Sequence, residues 1–214
     1  VMYPADSVNI FYGSGRGFSS VRKEYLPVAT AISVFDLNND RLPELSGAER
    51  AATRGNILWN NGNTFSMRQY PMPASLLTFM TAAQLDSSGM KALLLTTVET
   101  NRIFVSRFNS DYTRRDSAEY ILPNATNAAH ILSVKLSPDS VSILVVGGSS
   151  DGVHLYTFRS NNHGGLALRY VEPISPFFCG MDVADINGDS NPDVVMSMSN
   201  GEVWVHVSRG GILQ

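Results

Sequence analysis

Residues 185–193 read DINGDSNPD, with an oxygen-bearing side chain at every second position: Asp185, Asn187, Asp189, Asn191 and Asp193. A second stretch, DLNNDRLPE at 36–44, repeats the spacing with Asp36, Asn38, Asp40 and Glu44. Carboxylates crowded this closely repel one another unless a cation neutralises them. Ca2+ is the natural candidate, because it takes six to eight oxygen ligands in a flexible shell. Each stretch sets three formal negative charges against the two of the ion. Mg2+ suits such a loop less well, since it dehydrates reluctantly and demands octahedral geometry. The competing reading is a solvated acidic turn, Asp and Asn being turn residues in their own right. An EF-hand is excluded: position 12 of the stronger loop is Met196, where that motif needs Glu.

These loops must be carried by strands. The 214 residues are 43% hydrophobic and 16% charged, a globular balance. The apolar runs KALLLTTV, RIFVSRF, SILVVGG, VHLYTF, PDVVMSM and EVWVHVS are short, β-branched or aromatic, and bounded by turn residues. The most helix-like stretch, SGAERAATRG, is short and ends at Gly55. Two weaker copies of the loop lie between the acidic ones: AAQLDSSGMKALLL, with Gln84 at the first position, and SVKLSPDSVSILVV, with Lys135 there. The anchors at 36, 84, 135 and 185 recur at about the fifty-residue period of a four-stranded propeller blade. Behind each anchor an alternating strand runs into a Gly/Asn turn: ILWNNGNTF, IFVSRFNSDY, VHLYTFRSNNHGGL and VWVHVSRGGI, with VNIFYGSGRGF as a fifth copy. Each unit therefore reads strand A, acidic loop, strand B, turn, strand C, Gly turn, strand D. The expectation is an all-β propeller of four-stranded antiparallel blades. About four to five units are present, approximately 1–30 (partial), 31–78, 79–129, 130–179 and 180–214 (partial). Such a chain either closes a four-bladed ring or forms part of a larger propeller of about seven blades, completed by further chain or by partner subunits.

DINGDSNPDVV, followed by the GxF-like turn, resembles the FG-GAP/VCBS repeat of integrin-α-type β-propellers. The resemblance spans the chain by spacing; it is sharp at 183–195 and fair at 34–45. It implies a structural Ca2+ in each acidic loop. The side chains of Asp185, Asn187, Asp189 and Asp193 and the carbonyl of Asn191 would bind one ion. Asp36, Asn38, Asp40, Glu44 and the carbonyl of Leu42 would bind the other. Both loops depart from the family at position 6, where Ser190 and Arg41 replace the usual glycine. The resemblance also implies that the ions brace the blades on one face while partners bind the opposite one. The middle loops lack the ligands, offering only Asp86 and Ser88, and Ser137 and Asp139. In the latter, Lys135 either replaces the ion by pairing with Asp139 or stands in a loop that folds without a cation.

A net charge of −3 argues against a nucleic-acid partner. No apolar run approaches the ~20 residues that cross a bilayer. The opening VMYPADSVNI carries no basic segment followed by an apolar one, as after signal removal, without a signal, or in an excerpt of a longer chain. The single cysteine, Cys179, excludes an internal disulfide and, beside Phe177 and Phe178, reads as a buried inert thiol. GSSDG at 148–152 matches a nucleophile-elbow pattern, but a strand follows it and the motif needs a helix. GSGRG at 13–17 reads as a hairpin, and the four histidines lack zinc spacing. Asn124 opens a glycosylation sequon. Arg50, Arg54, Phe177 and Phe178 lie in segments expected opposite the acidic loops and are candidate partner contacts. No acid, base and nucleophile come together. The expectation is a non-catalytic, secreted or cell-surface binding module for a protein or glycan. The alternatives are the propeller portion of a larger secreted enzyme or toxin, and a structural subunit of a large assembly.

Overall fold

The computed structural model describes residues 7–13, 17–27, 29–49, 53–72, 78–137, 140–161, 163–209 and 212–213. Arg50 and Asp139 lie outside the described residues. The chain opens with a hairpin of β1 (Ser7–Gly13) and β2 (Phe18–Tyr25). Blade 1 is β3 (Ala29–Phe35), β4 (Glu44–Glu49), β5 (Arg54–Asn60) and β6 (Phe65–Pro71). Blade 2 is β7 (Thr78–Ala83), β8 (Ala92–Thr97), β9 (Arg102–Phe108) and β10 (Arg114–Ile121). Blade 3 is β11 (Ala129–Ser137), β12 (Ser140–Ser149), β13 (Gly152–Ser160) and β14 (Leu166–Ile174). Blade 4 has three strands, β15 (Phe178–Ala184), β16 (Asp193–Met198) and β17 (Val203–His206), followed by the short pair β18 (Ser208–Arg209) and β19 (Ile212–Leu213). All pairings are antiparallel and sequential, as in an all-β propeller.

Strand alternation explains why the blades stack. In β8, Leu93 and Leu95 face blade 1, whereas Leu94 faces blade 3. In β12, Ile143 and Val145 face blade 2, whereas Leu144 and Val146 face blade 4. Both faces of these strands are buried, which is why they read as unbroken apolar runs rather than alternating ones. Four clusters follow in series: hairpin on blade 1, blade 1 on 2, 2 on 3, and 3 on 4. Among the described residues, no cluster joins blade 4 to the hairpin.

Two expectations need correction. The described part of SGAERAATRG, the most helix-like stretch, is strand: Ser46–Glu49 ends β4 and Arg54 and Gly55 begin β5. Gly47 pairs with Asn56 and Ala48 with Gly55, so the pairing overrides the helix-favouring composition. Cys179 is exposed rather than buried. The β15 register slips between Phe178 and Gly180, leaving Cys179 as the extra residue of a bulge turned outward. A similar slip between Ala129 and Ile131 holds His130 in a left-handed conformation (φ 47°). Its ring stacks on Phe79 of blade 2 at 4.4 Å and meets Phe178 of blade 4 edge-on at 5.2 Å.

Candidate functional site

Strand order places every A–B loop and C–D turn at one end of the blades and every B–C turn and D–A link at the other. The acidic loops of blades 1 and 4 therefore occupy equivalent places, and they share most of their internal hydrogen bonds. Asp36 Oδ1 and Oδ2 accept the N–H groups of Asp40 and Arg41, both at 3.1 Å. Asp185 accepts those of Asp189 at 3.1 Å and Ser190 at 2.9 Å, and also that of Gly188 at 2.7 Å. Asp40 Oδ1 takes the Leu42 N–H at 2.7 Å, and Asp189 Oδ1 takes the Asn191 N–H at 2.8 Å. That last bond heads the causes that hold Asp189 below the usual carboxylate range. Asn38 and Asn187 donate to Asp40 and Asp189 at 2.8 and 3.2 Å. Position 6 is left-handed in three loops: φ is 72° at Arg41, 68° at Ser190 and 80° at Gly89.

The ninth position anchors each loop beneath the surface. Glu44 and Asp193 are both fully buried. Glu44 Oε2 accepts the Leu37 N–H at 2.6 Å, and Asp193 Oδ2 accepts the Ile186 N–H at 3.1 Å. Asp193 Oδ1 also accepts the Ser208 N–H at 2.8 Å. Glu44 Oε1 makes no hydrogen bond of normal geometry. Burial, helped by the charges of Asp40 and Asp36 and opposed by the Leu37 and Asn60 N–H groups, pushes the Glu44 pKa up to about 7. A buried carboxylate oxygen with no hydrogen bond of normal geometry, beside two further carboxylates, fits a hard cation. The set would have to include asparagine and carbonyl oxygens. Among the described residues, no group of three or more His, Cys, Asp or Glu side chains is placed to hold a metal ion by itself.

The loops also bind neighbouring blades. Lys91 Nζ donates to the Asp36 carbonyl at 2.6 Å, and Asn39 donates to Gln84 and to the Gly89 carbonyl. In blade 2 the protein supplies its own donors. Gln84 Nε2 donates to the carbonyls of Asp86 at 2.6 Å and Met90 at 3.2 Å. Arg115 from β10 pairs with Asp86 at 2.7 Å. Burial works against the Asp86 charge, but its bonds to Ser88 and Arg115 outweigh this and hold its pKa down at about 2. In blade 3, Ser137 of β11 pairs with Ser140 of β12, and Lys135 is exposed within β11.

Of the partner-contact candidates, Arg54 is exposed and donates to Gln69 at 3.3 Å. Phe177 is half exposed in the link between blades 3 and 4, whereas Phe178 packs into their shared core. Sequence reasoning missed two clefts near the outer rim, because their residues come from different strands. One, of about 250 Å³, lies between blades 1 and 2 and is lined by Met72, Phe104, Ser106, Arg114, Ser117 and Glu119. The other, of about 150 Å³, lies on the blade-4 side of blade 3, lined by Ser142, Thr157, Arg159, Arg169, Tyr170 and Glu172. Arg169 is the extra residue of a bulge between Leu168 and Tyr170, which turns it toward this cleft.

No family model and no curated protein sequence matches the chain. Among solved structures, it is similar to an Agrocybe aegerita lectin that recognises non-reducing terminal N-acetylglucosamine. The identity is 17% and the TM-score 0.56, over 87% of this chain and 52% of that one. The chain thus spans about half the length of the lectin it matches, and the likeness is one of fold.

Proposed function

We propose that the chain is a non-catalytic, glycan-recognising β-propeller of the FG-GAP/VCBS type, braced by Ca2+ in the loops of blades 1 and 4 and working outside the cell. The observation that carries the glycan reading is the shared fold with a lectin. The chemistry of the rim clefts supports it. Sugar rings present apolar C–H faces and a fringe of hydroxyls, and are held by an aromatic face beside charged hydrogen-bonding groups. Tyr170, half exposed, with Arg159, Arg169 and Glu172 around it, supplies that combination. The calcium reading rests on the matched loop geometry and on the buried Glu44 oxygen. Saturation at about 100 times Kd would stabilise the fold by ~2.7 kcal/mol.

Calorimetric titration with an oligosaccharide ending in N-acetylglucosamine tests the glycan reading. Saturable binding is expected, with a loss of at least tenfold in Tyr170→Ala while the circular dichroism stays unchanged. A chain that melts higher in calcium yet binds no glycan would reject the ligand and leave the cation. A melting temperature identical in calcium and EGTA would reject the cation.

A further inference from the structure

We infer that the cleft on the blade-4 side of blade 3 selects sugar rings that carry a negative charge, and that Arg169 takes the anion. The inference rests on the glycan reading and adds the class of sugar to it. The lining sets two guanidinium groups, Arg159 and Arg169, against one carboxylate, Glu172, in a chain whose net charge is −3. The cleft is thus opposite in sign to the whole molecule. Glu172 turns toward the neighbouring blade, its Oε1 facing His206 Nδ1 of β17 at 4.0 Å. Arg169 is exposed and meets no carboxylate among the described residues. Arg102, Arg107 and Arg115 of blade 2, by contrast, each pair with one.

The β14 bulge is what builds the arrangement. Tyr170 stands opposite Thr157 and shares its face, so in a regular strand the residue before it would point the other way. As the extra residue, Arg169 lines the cleft together with Tyr170. Ser142 and Thr157, both buried, add hydroxyl-bearing side chains to the lining. The aromatic face suits the C–H face of a sugar, the hydroxyls suit its hydroxyls, and the guanidinium fork suits a carboxylate or sulfate on the ring. At about 150 Å³ the cleft is small beside the ~300 Å³ or more of pockets for drug-sized ligands, which fits one ring rather than a longer chain. The larger cleft between blades 1 and 2 offers no such group. There Arg114 donates to Ser117, and Glu119 pairs with Arg102.

NMR titration of the 214-residue chain with methyl β-D-glucoside, methyl β-D-glucuronide and glucose 6-sulfate tests this. At low ionic strength the glucuronide or the sulfate should bind at least roughly tenfold more tightly than the glucoside. The tighter of the two identifies the anion. Raising the salt to about 1 M, where the screening length falls to ~3 Å, should shrink the preference. Arg169→Gln should weaken binding of the charged sugar at least roughly tenfold, with the circular dichroism unchanged. Arg68→Gln, which removes a positive charge from the exposed face of β6, should keep the preference. Equal binding of all three sugars overturns the inference and leaves the glycan reading standing. No binding of any of them overturns it too, and the N-acetylglucosamine titration then decides the glycan reading separately. A preference that survives Arg169→Gln overturns it as well.

Discussion

Arg41 and Ser190 hold a backbone conformation that costs a side-chain-bearing residue roughly 1 kcal/mol or more, while Gly89 holds it freely. Arg41→Gly and Ser190→Gly should therefore each raise stability by about 1 kcal/mol in urea unfolding. The missing glycines look like departures from the motif when only residue types are visible. The backbone keeps the turn because the Asp36 and Asp185 carboxylates bind the N–H of these very residues. Glu44 gives a second residue-scale prediction. Its pKa is raised from 4.5 to about 7 on folding, so between those values the folded chain binds more protons than the unfolded one. With EGTA present, stability should fall as pH rises through that window, by up to about 3 kcal/mol, and level off above it. Glu44→Gln should remove this slope from the pH dependence of the urea midpoint. Calcium should remove it too, by favouring the carboxylate.

Within the elements, the strands most legible in sequence were β8 and β12, whose apolar runs are buried on both faces, and β16, whose Val194, Met196 and Met198 are buried on the blade-3 face. The strand ends around Gly55 were not legible, because Ala, Glu and Arg favour helices and nothing local marks the cross-strand partners. Gly55 is there for space. A Cβ at that position would lie 2.1 Å from Cζ of the buried Tyr70 ring. Gly55→Ala should cost about 1–3 kcal/mol by overpacking, read as a lower urea midpoint. The bulges that turn out Cys179 and Arg169 and re-aim His130 leave no sequence mark, since each depends on the register of a distant strand. For the same reason, the acidic loops were visible as contiguous residues, whereas the rim clefts, assembled from several strands, were not.

At the scale of the molecule, stability is a sum of junctions in series, so the ends should open before the middle. Hydrogen exchange should show the amides of β1 and β2 exchanging well before those of β8 and β12, and uniform protection would contradict the serial picture. The strand-rich composition and the fifty-residue period made the propeller legible. The exposure of Phe11, Val21, Val203 and Val205 was not, because alternation in a strand looks the same whether or not a neighbour covers it.

His130 spans that series from within. Its ring lies between Phe79 of one neighbouring blade and Phe178 of the other, and burial lowers its pKa despite the Cys179 backbone nearby. The magnetic shielding of two aromatic rings falls on one imidazole, so its carbon-bound protons should resonate away from those of the other three histidines. A single NMR signal would then act as a gauge of the spacing of three successive blades.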